Sequence, residues 1–452
     1  MRIKVLLILL GSVLAFLGAA CGGESDSPAG PATADGPIEV AMWHSMPDPA
    51  GGSLQRIVDD FNASQSLYEV ELLFQGGYSD SLNKLINSIG TSNVPDIIQL
   101  SDASTQIMVD SGAVMPIQGF IDEEEYDLSD FEPKALDFYT IDDVLYSMPF
   151  NMSGPILYFD RAAFEEAGLD PDDPPSTLEE VRQYSEQLAL QVGEGETRYG
   201  ISLEPSAWYF EQMLAIGGAL YANGEHGRSD RITEAVFDNE TGVEILTWWD
   251  DMVGDELAYN AVDAIDSMLK LATGEAAMTI SSTAALRAAI AAITLVGRDP
   301  FQYDTAPMPG PAGDGGIALG GASLWILNAS DEDKQRAAWE FLKYAATPEQ
   351  QAQWHSDTGY FPNRISAYDE PPAVQAREEF PQFLTAVEQL RASPNTTATS
   401  GILLGPLNEV RRRVVEAFDK VLTGGGDPIT ELQAAVDDAN EMIETYNRTA
   451  PD

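Results

Sequence analysis

The chain has 452 residues, of which 24 are Lys or Arg and 73 are Asp or Glu, for a formal net charge of −49. So acidic a surface repels nucleic acid and the anionic face of a bilayer, which excludes both as partners recognised by charge; it reads as a solvated surface, with adaptation to salt as the secondary reading. With 44% hydrophobic and 21% charged residues the composition is that of a folded globular chain, and the length suits two or three domains of roughly 100–200 residues.

Arg2 and Lys4 precede an apolar stretch, Val5 to Phe16, and the small residues Gly18, Ala19 and Ala20 lead to Cys21. This is the pattern of a secretory signal peptide over residues 1–20, with an apolar stretch too short to span a membrane. Cys21 is the single cysteine of the chain and sits where a bacterial lipobox has its lipidated residue, although Gly18 stands where that pattern usually has Leu. A lipidated Cys21 leaves no thiol for a disulfide, a thiolate nucleophile or a cysteine metal site. Residues 21–37, rich in Gly, Pro and Ser, read as the lipidated cysteine and a flexible tether.

The fold is expected to begin near Ile38. Strands at Ile38–Met42, Val70–Phe74 and Asp96–Leu100 alternate with two amphipathic helices, one facing inward through Leu54, Ile57, Val58 and Phe61, the other through Leu82, Leu85, Ile86 and Ile89. This βαβαβ run predicts a mostly parallel sheet. A second unit opens near Tyr146–Asn151: a strand at Pro155–Phe159 passes through Asp160 into a helix that Gly168 should close. Ser176 and Glu179 have the spacing of a capping box, and the helix they start should turn Leu178, Val181 and Leu188 inward. Further strands are expected at Ala276–Ile280 and Ser323–Leu327, and a Gly424–Gly426 break should separate two final helices, Asn408–Leu422 and Ile429–Tyr446. Two α/β lobes of this kind face each other across a cleft, with the site at the carboxyl ends of the strands.

The three histidines, His44, His226 and His355, lack metal-ligand spacing, and no G-x-S-x-G elbow, Walker loop or H-E-x-x-H pair is present. A glycosidase-like carboxylate pair stays open on composition, but nothing singles out two acids. The chain is therefore read as a non-enzyme, without catalytic residues, metal or cofactor. Loops after strand-like runs supply binding candidates: Trp43-His44-Ser45, Gly76-Gly77-Tyr78, Ser101-Asp102, Asn151 to Gly154, Ser206-Ala207-Trp208, Ser281-Ser282, Gly320 to Ser323 and Gly359-Tyr360. Any one of their aromatics can equally be a packing residue. Arg411-Arg412-Arg413 is an unusual basic run in so acidic a chain. Helical spacing lets one or two of the three enter a cleft, as an anchor for a carboxylate or phosphate; a surface helix end offsetting local acid is the alternative.

The stretches MWHSM (42–46), GGYSDSL (76–82), PFNMSGPILYFDRAAFEEAGLDPDDPP (149–175), TGEAAMTISS (273–282), LGGASLWIL (319–327), QWHSDTGYFP (353–362) and GILLGPLNEVRRRV (401–414) are spread across nearly the whole length of the mature chain. Through them it resembles the UgpB-type binding proteins for glycerol-3-phosphate and glycerophosphodiesters, which serve ABC importers and fall within the larger group typified by maltose-binding protein. The resemblance implies an α/β, two-lobed type II periplasmic-binding-protein fold, each lobe a mostly parallel sheet flanked by helices. Residues 38–147 plus 318–372 would form one lobe and 148–317 plus 373–452 the other. It also implies that Arg411, Ser153, Ser282, Gly321 and Tyr360 surround the phosphate, that Tyr78 and Asp102 meet the glycerol hydroxyls, and that Trp208 is a flat wall. Pro205 departs from the pattern: relatives selective for glycerol-3-phosphate have Trp there, and one that accepts glycerophosphocholine has a smaller residue, so the resemblance leans towards a glycerophosphodiester. The implied protein is a monomeric, lipid-anchored, extracytoplasmic receptor that delivers its small ligand to permease subunits; a carbohydrate-binding importer component is the runner-up, and a secreted hydrolase the competing class.

Overall fold

The computed structural model describes residues 36–193 and 196–451. The expected signal peptide, Cys21 and nearly all of the tether lie outside them. The first sheet has the strand order Tyr68–Phe74, Ile38–His44, Ile97–Ser101, Gly320–Leu327, Val114–Met115, with Met148–Ser153 also pairing with Gly320–Leu327. Its first three strands are parallel and Gly320–Leu327 joins them antiparallel. Adjacent residues Ile97 and Ile98 point to opposite faces, and both are buried because helices cover the sheet on either side. On one face Leu54, Ile57, Val58 and Phe61 of the helix Ala50–Ser64 are inward, as their spacing predicts.

On the other face the helix Tyr78–Ser88 departs from expectation. Leu82 and Leu85 are buried, but Ile86 and Ile89 are 43% and 39% exposed. Ser81, Leu82, Leu85 and Ser88 are the residues that 3.6-fold spacing brings to one side, so two small serines take the inward places and the isoleucines are turned out.

The second sheet runs Ala258–Asn260, Glu196–Leu203, Ala276–Ser282, Pro155–Asp160, Tyr303–Pro307. Its first three strands are parallel and the last two antiparallel to their neighbours. Asp160 caps the next helix by accepting from the Ala162 and Ala163 amides, and Gly168, left-handed at φ 77°, ends it. The capping box lies one residue beyond the expected place. Thr177 and Glu180 exchange the bonds, and the same Glu180 carboxylate also accepts from the Ser176 amide and hydroxyl, so the shift keeps Ser176 bonded while Leu178 is buried.

The chain crosses between the sheets at Gly154, whose amide donates to Thr283 Oγ1 and whose carbonyl accepts from the Thr283 amide. Met148–Ser153, read from sequence as the opening of the second lobe, is thus a strand of the first sheet. The return crossing runs through residues 308–319. Two closing helices, Leu407–Leu422 and Pro428–Asn447, pack on the second sheet's side, where Phe418 meets Phe210 and Trp249 edge-on at 5.9 and 5.0 Å.

Candidate functional site

Strand ends build the site. Ser101, Ser153 and Ser282 are the last residues of their strands, Glu204 follows the strand Glu196–Leu203, and Gly321 is the second residue of an antiparallel neighbour. They line a cavity of about 820 Å³ between the two lobes. Tyr78, Asp102, Ser153, Pro205, Trp208, Ser282, Gly321, Tyr360 and Arg411, the whole set singled out in the sequence, line it together. Of the candidate loops only Trp43-His44-Ser45 contributes nothing to the lining; His44 and Ser45 are buried, and the Ser45 amide donates to Gln99 Oε1.

Gly321 is required by its backbone. Its φ is +116°, and a Cβ there would lie 2.2 Å from the Asn151 carbonyl oxygen, so any side chain would push apart the strands that present Ser153. The neighbouring Gly320 makes room in the same way for Trp208, whose Cζ2 would be 2.6 Å from an added Cβ.

Tyr78 and Tyr360 are held as a pair. The Gln99 amide donates to Asn151 Oδ1 at 2.7 Å, and Asn151 Nδ2 donates to the Tyr78 hydroxyl at 2.9 Å. Tyr360 lies flat on Trp354 with ring centroids 5.6 Å apart, and its carbonyl is 2.7 Å from His355 Nδ1. Burial pushes both phenols above their ordinary range, so each stays a neutral hydroxyl able to donate or accept.

Arg411 does not stand alone among hydroxyls. Its Nε donates to Glu211 Oε1 at 2.8 Å, and its Nη2 donates to Glu211 Oε2 at 2.7 Å and to Asp102 Oδ2 at 3.1 Å. These contacts join the helices Leu407–Leu422 and Ala207–Ile216 of one lobe to Asp102, at the end of a first-sheet strand. Burial pulls the Arg411 pKa down, but Glu211 and Asp102 outweigh it and raise it, so the guanidinium stays charged. Burial also pushes the Glu211 carboxyl up, against the pull of Arg411. Of the five N–H groups on a guanidinium three are used, which leaves the pair on Nη1 for a guest.

Glu211 went unnoticed in the sequence. It lies three residues after Trp208, on the same helical face, and that spacing was its only signal. The basic run divides as helical geometry requires: Arg411 is largely buried, with a side chain 18% exposed, Arg412 reaches the cavity rim with a side chain 70% exposed, and Arg413 pairs with Glu416.

Two α/β lobes with a cavity between them, lined by aromatic, hydroxyl and charged side chains, define a receptor for a small solute. The model of the bacterial extracellular solute-binding protein family matches residues 56–382, and the chain belongs to that family. It is a non-enzymatic transport receptor that serves an ABC importer. Among characterised relatives it is 29% identical over 420 residues to the sn-glycerol-3-phosphate-binding periplasmic protein UgpB of Escherichia coli K12, covering 91% of this chain and 93% of that one. A solved structure of UgpB from Mycobacterium tuberculosis in complex with glycerophosphocholine matches with a TM-score of 0.77 at 22% identity, over 92% of this chain and 100% of that chain. The GacH receptor of Streptomyces glaucescens, solved unliganded and with acarbose, matches at 0.75 and 17% identity, over 90% and 99%.

Proposed function

We propose that this receptor captures a glycerophosphodiester, such as glycerophosphocholine, or glycerol-3-phosphate, and delivers it to its importer. The observation that carries the reading is the meeting of Tyr78, Asp102, Ser153, Trp208, Ser282, Gly321, Tyr360 and Arg411 on one interlobe cavity. Hydroxyls and the free Nη1 of Arg411 are suited to donate to phosphate oxygens, and a volume of about 820 Å³ falls in the range of roughly 300–1,000 Å³ that holds drug-sized ligands. The likeness to UgpB proteins supports the same ligand class. In this reading the lobes close over the guest by flexing at the crossings near Gly154 and Ile317, because only the closed form makes contacts from both sides. Cys21 carries the lipid anchor, and the receptor works as a monomer outside the membrane.

One observation favours a second reading. Asp102 and Glu211 together outweigh the charge of Arg411, and a site without net positive charge also suits a carbohydrate, as in the acarbose-bound relative. Calorimetry with glycerophosphocholine, glycerol-3-phosphate, maltose and acarbose decides between them. Binding of either phosphate compound without turnover is the expected result; binding of a sugar while both phosphate compounds fail would transfer the assignment to carbohydrate transport.

A further inference from the structure

In the strand Ile97–Ser101 the run Ile97-Ile98-Gln99-Leu100 carries one carboxamide into an apolar core. Gln99 is wholly buried, as is Asn151 on the strand Met148–Ser153, and neither side chain lines the ligand cavity. An amide taken out of water has to be bonded within the fold, and the bonds of these two make a chain with a single direction. It starts at the Ser45 backbone amide, which can only donate and does so to Gln99 Oε1 at 3.0 Å. Gln99 therefore turns its Nε2 the other way, where it donates to Asn151 Oδ1 at 2.7 Å. Asn151 in turn donates through Nδ2 to the Tyr78 hydroxyl at 2.9 Å. Neither carboxamide can flip without setting two donors or two acceptors face to face.

The direction carries on into the cavity wall. Tyr360 is hydrogen-bonded to both Asn151 and Tyr78. Tyr78 receives from Asn151, so its own hydrogen goes to Tyr360. Tyr360 receives from both neighbours and is left with its hydrogen towards the cavity that the two phenols line. We propose that Gln99 is a positioning residue for the ligand: acting through Asn151, it fixes the hydroxyls of Tyr78 and Tyr360 so that this wall offers a hydrogen-bond donor and selects an acceptor oxygen of the guest. Naming that oxygen as one of a phosphodiester rests on the reading given above; the direction of the chain does not. A reversed chain would turn phenol lone pairs towards the guest and repel the same oxygen.

The test is calorimetric titration of Gln99→Met, Gln99→Glu and the wild type from pH 5 to 9, with melting temperatures recorded. Glycerophosphocholine is the probe, because its phosphodiester does not titrate over that range. Each affinity is taken as a ratio to wild type at the same pH, so that His44 beside Ser45, His355 at the Tyr360 carbonyl, and Asp80, Asp102, Glu204 and Arg411 around the cavity act in both. Gln99→Met cannot pass the bond on and should weaken binding about tenfold at every pH. Gln99→Glu can donate to Asn151 only while its carboxyl is protonated, so it should bind like the wild type at pH 5 and weaken as the carboxyl ionises. Recovery at pH 5 where Gln99→Met fails supports the inference, whether or not ionisation is complete by pH 9. Wild-type affinity in Gln99→Met overturns it. So does a Gln99→Glu variant that tracks Gln99→Met at every pH, since Gln99 would then act by packing alone. If either variant melts below the assay temperature, Asn151→Asp takes its place: affinity that returns towards pH 5 keeps the inference and any other result removes it. If glycerophosphocholine and glycerol-3-phosphate both fail on the wild type, the phosphodiester reading falls, and the same comparison with maltose or acarbose judges the positioning role alone; a wild type that binds neither sugar removes both.

Discussion

Arg411 has two roles that a single substitution would confuse. It offers Nη1 to the cavity, and it also neutralises Glu211, whose side chain is 5% exposed. Removing the guanidinium alone leaves that carboxylate buried without a partner, which costs about 3–5 kcal/mol. Arg411→Met is therefore expected to lower stability to urea by that amount as well as to abolish binding of phosphate-bearing ligands. Arg411→Met combined with Glu211→Leu replaces the pair by apolar groups of similar size, and most of the lost stability should return while binding does not. A single variant that loses less than about 1 kcal/mol would show that water already reaches the pair. A double variant that regains ligand would place recognition on other groups.

The helix Leu407–Leu422 carries the site and the core on opposite sides. Leu407, Val410, Val414, Phe418 and Val421 are buried, while Asn408, Arg411, Arg412, Val415 and Glu416 face the cavity at the same spacing. The apolar stripe was legible in the sequence, but the basic run by itself left a cleft anchor and a surface helix end both open, and it was the resemblance that implied Arg411 in the cleft. Glu211 could not be placed at all, because the helix Ala207–Ile216 is buried on almost every side and shows no polar face from which to read a direction. Six strands were legible because their apolar runs are short and bounded by turns or helices, whereas Glu196–Leu203, Ala258–Asn260 and Tyr303–Pro307 of the second sheet went unpredicted. The inward faces were less so: in Tyr78–Ser88 hydrophobicity points to Ile86 and Ile89, yet packing selected Ser81 and Ser88. Phe418 tests the coupling of core to site. Phe418→Ala removes its edge contacts with Phe210 and Trp249 and should cost about 3–5 kcal/mol in urea unfolding. It should also weaken ligand binding measured at a temperature where the variant is folded, since Arg411 rides on the same helix. Unchanged affinity at that cost would show that the cavity face holds its position without the core behind it.

Across the whole molecule two electrostatic effects oppose each other as pH falls. The net charge of −49 means that protonating carboxylates relieves self-repulsion and favours the compact state at low salt. Buried imidazoles act the other way. Burial lowers the pKa of His226 and His355 to about 4, from the ordinary 6.5. Between those values the unfolded chain binds more protons than the folded one, so the stability these groups contribute is complete above pH 6.5 and is lost as pH drops towards 4. The slope approaches about 1.4 kcal/mol per pH unit for each imidazole. High salt separates the effects, since at about 1 M the Debye length is near 3 Å and surface repulsion is screened while buried groups are not. Urea unfolding in 1 M salt should therefore show stability declining from pH 6.5 to 5, and His355→Gln should remove about a third to a half of that decline, the rest belonging to His226 and to His44, which burial also lowers. A slope unchanged by the substitution would mean that His355 accepts its proton inside the fold, and the contact of its Nδ1 with the Tyr360 carbonyl would then have to hold an imidazolium beneath the ligand cavity.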